Sequence, residues 1–205
     1  MIFVVSGPSG CGKSTLIGRV LDRRRDLRFS VSHTTRPRRK GERDGREYHF
    51  VTPPAFERMA ARGRFAEWAV VHGRLYGTSK AEIASKGRGG DLVLDVDIQG
   101  ARSIRALYED AVTVFVLPPR YAELRRRLRA RGLDAPDAIR TRLANARREI
   151  GHYREFEYLV INDDLERAAA ELEAVLVGQR CRRKAQERAV APILRSFRAA
   201  PARGR

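Results

Sequence analysis

Ile2-Phe3-Val4-Val5 is a short apolar, β-branched run that stops at Ser6-Gly7, and over 14–27 apolar residues recur at Leu16, Ile17, Val20 and Leu21, the stripe of a helix. The chain therefore opens as strand, glycine-rich loop and helix. Leu92-Val93-Leu94-Asp95-Val96, Val112–Leu117 and Tyr158–Ile161 are further apolar runs, the pattern of strands buried on both faces. Helical spacing follows the first of these over 100–107 and the last over 165–177. Strands alternating with helices predict an α/β fold built on a central parallel sheet flanked by helices. Two insertions interrupt that core. One, about 32–90, is rich in Gly, Arg and aromatic residues. The other, about 118–155, is an Arg-rich helical stretch in which 121–131 carries Leu124 and Leu128 on one face and most of Arg125, Arg126, Arg127 and Arg129 on a solvated one. The expected division is a core of 1–31, 91–117 and 156–179, inserted lobes at 32–90 and 118–155, and a C-terminal extension at 180–205. In that extension Pro192, Pro201 and Gly204 argue against one continuous helix.

The 205 residues, 42% hydrophobic, suffice for one main core. No apolar run approaches the ~20 residues that span a bilayer, and no basic segment precedes the Ile2 run as a secretory leader requires, so a cytoplasmic protein is expected. Cys11 and Cys181 form no CxxC pair, and His33, His49, His72 and His152 lack metal-ligand spacing, which predicts free thiols and no zinc site.

Gly7-Pro8-Ser9-Gly10-Cys11-Gly12-Lys13-Ser14 fits G-x-x-x-x-G-K-[ST] after a predicted strand and at the mouth of a predicted helix, the context in which this spacing binds a nucleoside triphosphate. Glycines let the loop curl its N–H groups inward, the helix N-terminus adds positive potential, Lys13 reaches the β- and γ-phosphates, and the Ser14 hydroxyl suits Mg²⁺. The expected ATP contacts run from Gly7 to Thr15, with the Cys11 thiol itself no more than a small filler.

Charge suggests a second anion site, although a basic run such as 36–46, taken by itself, is more often a solvated loop. The chain has 42 Lys and Arg against 25 Asp and Glu, a net +17 that attracts phosphates, nucleic acid and anionic surfaces alike. Nine of the basic residues lie in 180–205 against Glu187 alone, whereas the clusters at 36–46 and 120–148 are interleaved with Gly, Pro or helical pattern and look like placed charges. Arg36 and Arg39 sit on a segment too broken by Pro and Gly for a helix, and guanidinium forks with a tyrosine hydroxyl suit a phosphate monoester. Glu67, Tyr76 and Thr78 follow close together, a carboxylate, a phenol and a hydroxyl.

The phosphate loop, Ser32-His33-Thr34-Thr35-Arg36, Gly41-Glu42-x-x-Gly45-x-x-Tyr48, Glu67-Trp68-Ala69, Tyr76-Gly77-Thr78 and Leu94-Asp95-Val96-Asp97-Ile98-Gln99-Gly100 together resemble the guanylate kinase family. Arg131-Gly132, Arg142-Leu143 and the run from His152-Tyr153 to Asn162-Asp163-Asp164 resemble its bacterial branch. The resemblance implies a P-loop NTPase fold with an inserted acceptor-binding lobe, 32–90, and a helical lid, 118–155. It also implies transfer of the γ-phosphoryl group of Mg-ATP to GMP or dGMP, giving ADP and GDP.

Matched residue by residue, the resemblance puts the acceptor phosphate on Arg36, Arg39, Tyr48 and Tyr76, and the guanine on Ser32, Glu67, Thr78 and Asp97. The chemistry agrees, because an ionised carboxylate accepts from guanine N1–H and N2–H₂ while a hydroxyl donates to O6. Lys13 with the lid residues Arg131 and Arg142 falls on the transferred phosphoryl group, with Arg147 and Arg148 weaker candidates. Asp95 and Asp97 alternate along one strand end, Asp95 toward the Mg²⁺ held by Ser14 and Asp97 toward the base, although either also suits a helix cap. Asn162 falls near the adenine of ATP, with an N-cap for the following helix an even alternative. One departure stands out: where the family usually has Arg-x-Pro-Arg, this chain has Arg36-Pro37-Arg38-Arg39, so Arg38 competes with Arg39.

The expected partners are ATP and GMP, no membrane, and nucleic acid only incidentally through the tail, with a homo-oligomer left open. A sugar-phosphate kinase on the same fold would need neither Glu67 nor Thr78. A protein-binding module of this family would not need Lys13 and Ser14.

Overall fold

The computed structural model describes residues 1–85, 90–130 and 136–199. The chain runs β1 (Ile2–Ser6), α1 (Lys13–Arg23), β2 (Leu27–Phe29), β3 (His33–Thr34), β4 (His49–Phe50), α2 (Pro53–Ala61), β5 (Phe65–Val71), β6 (Arg74–Ser79) and α3 (Lys80–Ala84). It continues through β7 (Asp91–Asp95), α4 (Ile98–Leu107), β8 (Val112–Leu117), α5 (Tyr121–Ala130), α6 (Pro136–Glu149), a 3₁₀ turn (Ile150–Glu155), β9 (Tyr158–Ile161), α7 (Leu165–Arg180) and α8 (Arg183–Ala199).

The main sheet has the order β2-β7-β1-β8-β9, every pair parallel. Alternation along β1 sends Phe3 and Val5 to one face, where they meet Val93, Val114, Val116 and Val160 under α1 (Leu16, Ile17, Val20) and α7 (Ala168, Leu172, Leu176). Ile2 and Val4 face the other way, with Leu92 and Leu94, under Ala101 and Ile104 of α4. Burial on both faces is the reason β1, β7 and β8 read as continuous apolar runs; β9, at the sheet edge, departs from that expectation and leaves Leu159 and Ile161 exposed. Successive crossovers go to one side of β1 and then to the other. The crevice at the C-terminal ends of β1 and β7 is therefore the switch point at which open α/β sheets bind ligands.

The helix expected over 14–27 is a helix and a strand run together. α1 stops at Arg23, Arg24 turns extended, and Leu27 begins β2. Residues 32–90 hold an unforeseen second sheet, order β4-β3-β6-β5. Its hairpin turns at His72-Gly73, both with positive φ (50° and 72°), the two-residue turn that matches strand twist. α2 opens on Pro53-Pro54 and lays Phe56 on Phe65, ring centroids 4.4 Å apart. α5 and α6 close on each other through Leu124, Leu128, Leu143 and Ala146. α6 reaches the hairpin turn, with Asn145 Nδ2 3.4 Å from His72 Nδ1.

The extension also departs from expectation, because α8 continues through Pro192. Its residues 183–198 are all exposed, so the backbone group that proline leaves without a partner faces water and no packing is disturbed. No helix among the described residues is long and apolar enough to cross a membrane. Cys11 is buried, Cys181 exposed, and both are free thiols.

Leu172 is 1% exposed where α7 meets α1 and the sheet. Leu172→Ala should lower stability by about 2–5 kcal/mol, read as a shift of the urea midpoint.

Candidate active site

β1 delivers the chain into the phosphate loop, and α1 begins at Lys13 behind Gly12, which has φ +97° and offers no side-chain cap. The first amides of α1 are thus left to a ligand. A Cβ on Gly12 would meet Asn162 Nδ2 at 2.4 Å, so no larger residue fits there. Turning the amides inward leaves the carbonyls facing outward, and the protein satisfies them. Lys13 Nζ donates to Gly7 O at 2.7 Å; Asn162 Nδ2 and Arg127 Nη1 both donate to Cys11 O, at 2.8 and 3.0 Å. Arg127 also donates to Asn162 O at 2.8 Å and to Glu123 Oε1 at 2.7 Å.

Two expectations change here. Arg127 belongs to no solvated stripe, because it ties α5 to the loop and to the end of β9. The N-cap of α7 is Asp164, whose side chain accepts from Arg167 N, and not Asn162, whose amide is committed to Cys11.

Ser14 Oγ donates to Asp95 Oδ2 at 2.8 Å at the end of β7. The Ser9 amide lies 3.3 Å from Glu149 Oε2 at the end of α6. Burial opposes the Lys13 charge, but the negative charge around it, that of Asp95, Glu149 and Asp97 included, holds the ammonium above its ordinary pKa. Burial pushes the Cys11 thiol up, so it stays protonated in its filler position.

Across the crevice, Arg36 donates to both oxygens of Glu42, at 3.0 and 2.7 Å, and lies 5.4 Å from the Tyr48 ring centroid. Glu42 also accepts from Arg39 N at 2.8 Å. Burial works to raise the Glu42 pKa, but Arg36 and the Arg39 amide prevail and keep it below the ordinary value. Tyr48 and Tyr76 meet edge to face, centroids 5.8 Å apart. Burial pushes the Tyr48 phenol upward, so it stays a neutral hydrogen-bond donor.

Deeper in the lobe, the register of β5 slips between Phe65 and Glu67, a bulge that leaves Phe65, Ala66 and Glu67 all buried. Glu67 Oε1 accepts from Thr78 N at 2.8 Å, and Thr78 Oγ1 lies 3.2 Å from Ser32 Oγ. Burial pushes Glu67 up to about 7 against the opposing bonds from Thr78. Asp97 lies just past β7 and caps α4, accepting from Gly100 N at 2.9 Å.

One cleft of about 870 Å³ joins these groups. Gly7, Ser9, Gly10, Gly12, Lys13, Ser14, Ser32, Arg36, Arg39, Tyr48, Glu67, Tyr76, Asp95, Asp97 and Arg142 all line it. Pro8, Cys11, Thr15, Thr78 and Asn162 lie outside its lining, Thr78 directly behind Ser32 and Asn162 behind the loop. Arg39 lines the cleft whereas Arg38 is exposed. Arg148 lines it too, while Arg147 stacks on Tyr121 at 4.8 Å. Arg131 lies outside the described residues. Sequence reasoning missed Arg127 and the role of Glu42. The Gly41-Glu42 motif signalled the second, and nothing local signals the first.

A triphosphate loop facing an arginine-tyrosine clamp across one cleft, with a helical pair arching over both, defines a P-loop phosphotransferase with a phosphorylated acceptor. The guanylate kinase family model matches residues 1–179. A guanylate kinase of Dechloromonas aromatica is 51% identical over 85% of this chain and 87% of its own, and one of Syntrophotalea carbinolica 48% over 89% and 87%. The crystal structure of guanylate kinase from Anaplasma phagocytophilum superposes with a TM-score of 0.75 at 31% identity, covering 89% of this chain and 87% of the other. The chain belongs to the guanylate kinase family.

Arg127→Ala should free the Cys11 carbonyl and loosen the loop, raising the KM for ATP roughly tenfold, as loss of charge-assisted hydrogen bonds implies, with the KM for GMP nearly unchanged. Initial-rate kinetics with each substrate varied in turn read both.

Proposed function

We propose that this guanylate kinase moves the γ-phosphoryl group of Mg-ATP to GMP or dGMP within the described cleft, releasing ADP and GDP. The observation that carries the reading is the continuity of the cleft from Lys13 and Ser14 to the buried carboxylate of Glu67. ATP lies along 7–15, its phosphates on the loop amides and Lys13, with Asn162 supporting the loop from the adenine side. Arg36, Arg39, Tyr48 and Tyr76 take the acceptor phosphate. Ser32, Glu67, Thr78 and Asp97 read guanine, and adenine is rejected because its N1 offers Glu67 an acceptor in place of a donor.

No covalent nucleophile is needed, since the acceptor oxygen is already anionic. The chain's work is to hold two polyanions in line, neutralise them and exclude water. Arg142 and Arg131 of the lid complete the neutralisation, and closure of lid and acceptor lobe supplies the exclusion. Ser14 Oγ and the Asp95 carboxylate, 2.8 Å apart, are oxygen donors that would hold Mg²⁺, which would supply neutralising charge to the triphosphate.

The test is coupled ADP release with ATP and Mg²⁺ against GMP, dGMP, AMP, UMP and a ribose phosphate. Turnover with GMP and dGMP, lost in Glu67→Ala, supports the reading; turnover only with the sugar phosphate overturns the acceptor assignment.

The Glu67 pKa sets a pH dependence as well. Only the ionised carboxylate accepts from N1–H and N2–H₂, so kcat/KM for GMP should rise between pH 6 and 8 with a midpoint of about 7, and Glu67→Gln should remove that step. Stability moves the other way. The folded-state value lies above the ordinary 4.5, so the native protein binds more protons between about 4.5 and 7, and Glu67 withdraws stability as the pH rises through that window. Urea midpoints of the wild type and Glu67→Gln across this range check the sign.

A further inference from the structure

Gly100 stands in the first turn of α4, buried, with a backbone φ outside the left-handed region, so nothing in its own conformation calls for glycine. Its surroundings do. A Cβ built there meets Glu67 Oε2 at 2.7 Å, Val96 Cβ at 3.1 Å and Asp97 Oδ1 at 3.2 Å. The contact below 3 Å is with the free end of a side chain. Glu67 Oε1 is held by the Thr78 amide, while Oε2 is the oxygen that comes up against α4. The opening left by the missing methyl group is therefore filled by a carboxylate oxygen.

We propose that Gly100 is a specificity-determining positioning residue, its bare Cα leaving the space in which the Glu67 carboxylate stands to read the two-donor edge of a 2-aminopurine. This rests on the guanine-reading role of Glu67. With any side chain at 100, the oxygen must swing away from α4, turning on the Thr78 bond, and the carboxylate no longer meets N1–H and N2–H₂ side by side. None of the three atoms nearest that Cβ belongs to the phosphate loop, so the triphosphate half of the cleft should be little affected.

Gly100→Ala tests this cleanly, since alanine suits the helical backbone at this position better than glycine does. The expected result is a KM for GMP raised roughly tenfold or more, as loss of a paired carboxylate contact implies, with the KM for ATP within about twofold. IMP, which lacks the 2-amino group, should lose less, so the preference for GMP over IMP should shrink. In the Glu67→Gln background, Gly100→Ala should add little, the non-additivity expected of residues acting through one group. Calorimetric binding of GMP to the unliganded proteins gives a second readout.

An unchanged KM for GMP in Gly100→Ala, alongside a raised one in Glu67→Gln, overturns the proposal and leaves the base-reading assignment standing. Failure to fold, or equal losses for ATP and GMP, overturns it by making Gly100 merely structural. A wild type that neither turns over GMP nor prefers it to IMP overturns the reading beneath it.

Discussion

A loop that turns its amides inward to hold phosphate must turn its carbonyls outward, and each of those needs a partner. Much of this molecule's architecture answers that requirement. Lys13 reaches back to Gly7, Asn162 comes from the end of β9, and Arg127 comes from α5 to share Cys11 O with it. The β1–loop–α1 unit cannot supply the last two by itself. The edge of the sheet and α5 are thereby fastened to the nucleotide loop.

The two ends of the cleft solve different electrostatic problems. The acceptor lobe contains two glutamates withdrawn from water whose pKa values move in opposite directions. Burial opposes ionisation of both. Glu42 has a guanidinium on both oxygens and is held ionised, which fixes Arg36 in place before a phosphate arrives. Glu67 has only the Thr78 amide and hydroxyl, and its charge is poorly compensated until a ligand brings donors of its own. On the roles proposed for these residues, the phosphate clamp is preorganised, whereas the base reader is completed by its substrate.

Legibility in the sequence followed how local each signal was. β1, β7 and β8 announce themselves because burial on both faces makes them continuous apolar runs, and β9 because it is an apolar run too, although at the sheet edge its Leu159 and Ile161 stay exposed. β3 and β4 are two residues each, β3 defined by its pairing with β6 and β4 by its pairing with β3, so no stretch of chain could display them. β5 hides for another reason: the bulge buries Phe65, Ala66 and Glu67 in succession before Trp68 emerges, and that pattern has neither helical nor strand periodicity. The phosphate loop, the clamp residues and the base-reading set were legible as motifs, and most of them line one cleft. Arg127 was not, since it looks like its neighbours Arg125 and Arg126, and the carbonyls that single it out are 116 and 35 residues away.

The bulge in β5 bends the strand at the place where the Glu67 carboxylate enters the cleft. Beyond it the strand alternates strictly, Trp68 out and Ala69 in, locked to β6 as far as the His72-Gly73 turn. Taking Ala66 away would leave Phe65 opposite Ser79 and Glu67 opposite Thr78, so the bulge can close without turning the glutamate. What the extra residue sets is therefore the path of the strand, its local bend and twist where the carboxylate enters the cleft, and not the face that each side chain takes.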